Sequence, residues 1–404
     1  MLRMFFRYLR CFFILILLFS VGLICVSLIP NNALEPQHTK SITQIDREDS
    51  YANFLFSADG SILDNYTDKL MLLTCRISDA YDNPVSAAFD NNGYPRYWNG
   101  YLLTLKPILS QFTYQQIRYL NMFLLIISFC FCFSGIQQKI NSAAAVGFAI
   151  SIIACFLVFI SESLQYFSDF FILFLCLILI LYLPYFHKLS NSTLLLFSVG
   201  MTVNYFDLLT APIITLGIPL IVVIALHLQE NTSSFKNQIV TIVTHTASWC
   251  AGYFLTWAAK WTIGSLFLGK NVFADAFQTA QFRINGSETY PVDRKLMYRI
   301  NFDTYFFAKG HKPALLFLII FLILFYLFIR QHKPYWKNIV LPILSIGFYP
   351  YIWYFTFANH SQFHYFFTYR IQSITLFAIY AAVSCSIDWD KLRYSINRKQ
   401  QKDF

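Results

Sequence analysis

Residues 11–30 read Cys-Phe-Phe-Ile-Leu-Ile-Leu-Leu-Phe-Ser-Val-Gly-Leu-Ile-Cys-Val-Ser-Leu-Ile-Pro, or CFFILILLFSVGLICVSLIP, and none of these side chains is charged. A helix needs about 20 apolar residues to cross the hydrocarbon core of a bilayer. Lipid offers the backbone no hydrogen bonds, so such a stretch has to be helical. Arg3, Arg7 and Arg10 stand just before it. Basic residues ahead of an apolar run also mark a secretory signal. This run is long, however, and it ends in Ser-Leu-Ile-Pro-Asn-Asn, a poor small-residue cleavage site. The expectation is a retained anchor.

The rest of the chain repeats the theme. It is 57% hydrophobic and 13% charged, with 44 Phe and 26 Tyr in 404 residues. Soluble domains carry roughly 25% charged residues. Uncharged runs predict ten spans, near 11–30, 119–136, 143–160, 170–186, 193–207, 211–228, 239–259, 313–329, 338–357 and 367–387. Lys and Arg collect in cytoplasmic loops. Arg3, Arg7 and Arg10 therefore hold the N-terminus inside. Alternation then places Lys139, Lys188, Lys236, the 330–337 loop and the basic tail 388–404 inside as well. The expected fold is a single polytopic all-α integral membrane domain over 1–404. It has about ten transmembrane helices, both termini inside, and a large first outer loop carrying juxtamembrane helices.

The net charge of +9 is then mostly the inside-positive signal and an attraction to anionic membrane lipid, and calls for no nucleic-acid partner. Outside, charge is segregated. Loop 31–118 has seven basic and ten acidic residues, whereas loop 260–312 has eight basic and four acidic. An acidic loop facing a basic one suits a phosphorylated substrate. Of nine cysteines only Cys75 lies outside a predicted span, so no disulfide framework is expected.

Two stretches of the first loop stand out. Ser61–Leu72 reads SILDNYTDKLML. At helical spacing Tyr66, Leu70, Leu73 and Ile77 form one stripe, with Asp64 and Asp68 roughly opposite. Ser61 and Asp64 have capping-box spacing. The helix is expected to lie on the membrane with its apolar stripe down. The paired carboxylates serve either as a solvated helix start or as chemical groups. Tyr94–Tyr101, YPRYWNGY, carries Arg96, Tyr97, Trp98 and Asn99, which suit stacking on a sugar and hydrogen-bonding its hydroxyls. The same composition also fits an interfacial aromatic belt.

With LDNYTDKLML, YPRYWNGYLLTLKP, the Asp207–Pro212 turn and NHSQFHYFFTYR (Asn359–Arg370), the chain resembles uncharacterised multi-pass proteins of Gram-positive envelope-polysaccharide loci. In layout it is similar to the GT-C superfamily of membrane glycosyltransferases. The resemblance implies a GT-C-like bundle in the cytoplasmic membrane of a Gram-positive bacterium. It also implies a polyprenyl-phosphate-linked sugar as donor and a glycan or glycopolymer acceptor on the outer face. A first-loop acid, Asp64 or Asp68, would be catalytic base or metal ligand. No Asp-x-Asp stands in that loop, which leaves a divalent cation possible and the metal unknown.

A departing lipid phosphate needs fixed positive charge. Arg283 and Arg299 in the basic loop, Arg370 at the head of the last span, and His360 and His364 are the candidates. Arg370 either forks onto the phosphate or snorkels to headgroups. His360 and His364 lack a third ligand for zinc. Glu162 and Asp207 are secondary acidic candidates at the outer ends of spans. Two rivals remain: a polysaccharide polymerase or ligase, whose main loop would be 260–312, and a lipid-linked saccharide flippase or transporter, which expects charges buried along the spans.

Overall fold

The computed structural model describes residues 2–54, 59–78, 81, 83–229, 234–307, 318–320, 322–323 and 336–387. The eighth predicted span is described only at 318–320 and 322–323, and the tail 388–404 lies outside the described residues. What is described is about 80% helical and holds no strand. The helices are α1 (Leu2–Ser27), α2 (Asn31–Ile45), α3 (Asn65–Thr74), α4 (Pro84–Asp90), α5 (Leu102–Leu109), α6 (Tyr114–Lys139) and α7 (Ser142–Ile153). There follow α8 (Leu157–Ser161), α9 (Leu164–Tyr182), α10 (Leu189–Phe206), α11 (Ile214–Gln229), α12 (Phe235–Leu268), α13 (Val272–Asn285) and α14 (Arg294–Phe306). The chain ends with α15 (Leu341–Ile346), α16 (Tyr349–Thr356), α17 (Ala358–Phe363), α18 (Tyr365–Thr368) and α19 (Ser373–Ser386).

Among the described residues four helical stretches are long and apolar enough to cross a membrane: α1, α6, α9 and Tyr365–Ser386. Two of the predicted spans are not single helices. The run 143–160 breaks at Phe156, whose φ is +57°. The Cys155 carbonyl there has left the helical ladder and accepts from Arg370 Nε and Tyr369 Oη, both at 3.1 Å. The run 338–357 is divided into α15 and α16 by Gly347 and Phe348, and each short helix has a proline in its first turn. Proline is tolerated there because the N–H it lacks would have had no helical partner.

Two apolar cores organise the molecule. The larger packs α6, α7, α9, α10 and α11 with the C-terminal helices. The smaller packs α1 to α5 against Phe197, Met201 and Tyr205 of α10. Helix α10 belongs to both and lies tightly on α12. A Cβ at Gly200 would sit 2.3 Å from the Trp249 carbonyl oxygen, and one at Gly252 would sit 2.1 Å from that of Phe197. Only glycine permits backbones this close.

The first loop is tied to the bundle by polar anchors. Arg118 in α6 is buried and donates to both oxygens of Glu48 (2.7 and 2.8 Å), to the Glu162 carbonyl (2.7 Å) and to Tyr114 Oη (2.8 Å). Its guanidinium lies 4.0 Å from the Tyr114 ring centroid. Bidentate, desolvated pairs of this kind fix geometry. They set α3 over the N-terminal end of α9.

Candidate functional site

Helix α3 begins at Asn65, and its cap is Asp64 rather than Ser61. Asp64 Oδ1 accepts from Thr67 N (3.0 Å) and Oδ2 from Thr67 Oγ1 (2.8 Å). The two carboxylates, expected on the solvated side of this helix, are both buried. Asp68 faces inward at 0% exposure, while Tyr66, Leu70 and Leu73 are exposed. The inward turn is possible because Asp68 is fully supplied with donors. Its Oδ2 accepts from Tyr114 Oη (2.7 Å) and Leu164 N (2.8 Å), and its Oδ1 from Ser163 Oγ (3.0 Å) and Gln165 N (3.1 Å). Those amides open α9, where the helix dipole favours a negative charge. Asp68 is thus a clasp between α3 and α9.

The outward face of α3 lines a cleft of about 350 Å³. Its walls include residues from six separated parts of the chain: Asp64, Tyr66 and Thr67; Tyr94, Arg96, Tyr97 and Asn99; Gln165; Leu208; Arg283; and His360 and His364. Seven residues singled out in the sequence meet here: Asp64, Arg96, Tyr97, Asn99, Arg283, His360 and His364. Five buried polar atoms of these wall residues have no hydrogen-bond partner among the described residues: Arg96 Nε, Asn99 Nδ2, Gln165 Oε1, Arg283 Nε and His360 Nδ1. Buried polar groups are normally satisfied, so several orphans on one wall mark a place for a polar ligand.

The Tyr94–Tyr101 segment divides its side chains between two environments. Asn99 has a φ of +54° and turns its side chain to the cleft. Arg96 pairs with Asp275 at 3.3 Å and lies 4.7 Å from the Tyr94 ring centroid. Trp98 points the other way. It is buried against Phe19 and Tyr205 and donates Nε1 to the Thr256 carbonyl (2.9 Å), so it offers no sugar platform. A second cavity, about 50 Å³, shares Arg96, Tyr97 and Arg283 with the cleft and is otherwise mainly apolar, with Leu209, Trp257, Trp261, Ala276 and Phe357 among its walls.

His360 and His364 stand one turn apart with ring centroids 4.7 Å from each other. His360 Nε2 donates to the Leu209 carbonyl (2.7 Å), and His364 Nε2 accepts from Arg283 Nη1 (2.9 Å). Burial, followed by the neighbouring Arg283 charge, pushes His364 down to about 3. Burial, then His364 and Arg283, pushes His360 well down. Asp64 moves the other way. Burial raises it to about 6, opposed by the two Thr67 hydrogen bonds and helped by the nearby Asp68 charge.

The remaining candidates lie elsewhere. Arg370 is fully buried and its fork is occupied by three carbonyls: Cys155 (3.1 Å), Phe366 (3.2 Å) and Gly60 (3.1 Å). It neither snorkels nor reaches a phosphate. Arg299 is exposed and pairs with Asp303 at 3.3 Å. Glu162 sits beside Arg118 at 3.5 Å. Asp207 accepts from Thr210 N (2.8 and 3.0 Å) and shapes the turn whose Leu209 has a φ of +71°. That turn presents the carbonyl His360 uses. The buried carboxyl of Asp169, which accepts from Ala211 N at 2.7 Å, belongs to the same turn. Among the described residues no three of His, Cys, Asp and Glu converge to hold a metal.

Sequence reasoning missed Gln165, Thr67 and the Arg118–Tyr114 anchor. Thr67 was legible from the D-x-x-T cap spacing. Gln165 became a wall residue only through the docking of α3 on α9. Comparison with protein-family models, with curated proteins and with solved structures finds no match to this chain.

Proposed function

We propose that this chain is a ten-span membrane glycosyltransferase of GT-C type, with both termini in the cytoplasm and its cleft on the outer face of a bacterial plasma membrane. It moves a sugar from a polyprenyl-phosphate-linked donor to an envelope glycan or glycopolymer. The observation that carries this reading is the cleft itself. It joins one buried carboxylate, Asp64, to two guanidiniums, Arg96 and Arg283, across about 350 Å³, a volume at the lower end of small-molecule sites.

Asp64 acts as general base. It takes the proton of the acceptor hydroxyl as that oxygen attacks the anomeric carbon. The bond from the anomeric carbon to the phosphate oxygen breaks, and its electron pair leaves on the phosphate. Fixed N–H donors meet charge best where it develops, and the unpartnered Nε–H groups of Arg96 and Arg283 are such donors. Tyr94, Tyr97 and Asn99 surround the sugar. The apolar cavity beyond the two arginines suits the start of a lipid chain.

A transporter reading draws on the buried Asp169–Asp207 pair, which lies inside the bundle. The decisive assay uses purified protein in nanodiscs with a radiolabelled polyprenyl-phosphate sugar and envelope glycan. Transfer lost in Asp64→Asn and kept in Asp207→Asn supports the transferase. Movement of intact donor across the bilayer, dependent on Asp207 and independent of Asp64, supports the transporter.

A further inference from the structure

The guanidinium of Arg283 offers only donors, so the His364 nitrogen 2.9 Å from its Nη1 must be a bare lone pair. His364 is therefore unprotonated at Nε2. The Leu209 carbonyl can only accept, so His360 carries its proton on Nε2. Two imidazoles one turn apart thus hold opposite tautomers. The His364 ring cannot swing freely, because it stacks on Phe367 at 5.2 Å and 18° and abuts His360 at 4.7 Å. A fixed ring gives a fixed acceptor, and a fixed acceptor holds one edge of Arg283 while its Nε–H stays unpartnered.

We propose that His364 is a positioning residue, working as a neutral acceptor, that orients Arg283 to bind a phosphate-class anion in the cleft. It does not touch the anion as a cation itself. The assignment rests on the glycosyl-phosphate reading of the same cleft and adds to it a residue whose role is to accept. Arg283 and His360 are the titratable or charged groups in direct contact with it. Because Arg283 and burial keep His364 neutral far below pH 7, its function shows no titration near neutrality.

The test is a double-mutant cycle on full-length protein in nanodiscs, with inorganic pyrophosphate, geranyl phosphate and geraniol as probes. Thermal unfolding checks that each variant is folded. Arg283→Ala is expected to weaken geranyl phosphate binding by more than about tenfold. His364→Phe, which keeps the stack on Phe367, should lose as much. The double variant should be no worse than Arg283→Ala alone, as two groups acting as a unit require. His364→Gln, whose Oε can replace Nε2, should stay within about threefold. His364→Asn, too short to reach Nη1, should behave like Phe and serves in its place if Phe does not fold. Wild-type affinity in both His364→Phe and His364→Asn, or losses that add in the double variant, overturns the assignment. So does tighter binding in His364→Lys. Pyrophosphate bound through Arg283 and His364, with no gain from the prenyl chain, would keep the assignment and defeat the lipid-linked donor. Geranyl phosphate bound equally well by Arg283→Ala would do the reverse.

Discussion

Asp64 and Asp68 are one helical turn apart and do opposite work, and the difference comes from what donates to them. Asp68 is met by two side-chain hydroxyls and two amides. Asn in its place would set an NH2 group against some of those donors and leave them unsatisfied. Asp68→Asn should therefore cost about 3 kcal/mol, the scale for breaking a buried charged network, visible as lower thermal stability in detergent. Asn caps a helix about as well as Asp, so Asp64→Asn should keep the fold and abolish transfer. The raised value of Asp64 gives a pH signature. Its carboxylate is the active form, so turnover should climb through pH about 6 and level off above it. The stability consequence has the opposite sign. A carboxyl raised from 3.8 to about 6 favours the folded state when protonated. Stability is therefore lost as pH rises from about 4 to 6, by at most about 3 kcal/mol. Unfolding of Asp64→Asn should lack that loss, so its advantage over wild type should grow across that window and then stay constant.

At the scale of elements, apolar run length predicted where most helices lie, because the membrane requirement acts on composition. Residues 11–27 of the first run fall in α1, and 119–136 fall in α6. The predicted helix at 61–72 was legible, but its orientation was not. An amphipathic pattern records which residues are alike and does not say which face is inward. Four donors on α6 and at the start of α9 turned Asp68 inward, and none of them is near it in sequence. The cleft was legible as residue types and not as membership: Trp98 and Arg370 carry the expected chemistry and are consumed by packing. The α10–α12 crossing offers a direct test of element packing. Gly252→Ala should destabilise by about 1–3 kcal/mol, the cost of overpacking, because its Cβ would meet the Phe197 carbonyl at 2.1 Å. Gly264→Ala, on the same helix, meets a Val272 methyl at 3.4 Å and the Pro95 carbonyl oxygen at 3.9 Å, ordinary contacts. It should be neutral or gain up to about 1 kcal/mol from helix propensity. Unfolding of both variants checks the pair.

For the whole molecule, the expected outcome is an inside-positive topology. Single cysteines at exposed positions in 31–118 and 260–312 should react with an impermeant maleimide on intact cells, and those near Lys188 or Lys236 should not. The Arg370 clasp has a further consequence, for the order of assembly. Its guanidinium reaches Gly60, 310 residues earlier, and Tyr369 Oη shares its one proton between the same carbonyl at 2.9 Å and that of Cys155 at 3.1 Å. The segment 31–118 leaves the ribosome early, yet the groups that fasten it at Gly60 are among the last to be made. Arg118 and the start of α9 are made early and can hold Glu48 and Asp68, while the turn at Gly60 between them waits for its own fastening. A chain stopped before residue 358 should thus insert and still leave its first loop open to cleavage near Gly60, whereas the complete chain should resist. The clasp makes the fastening of Gly60 one of the last events in the protein's birth.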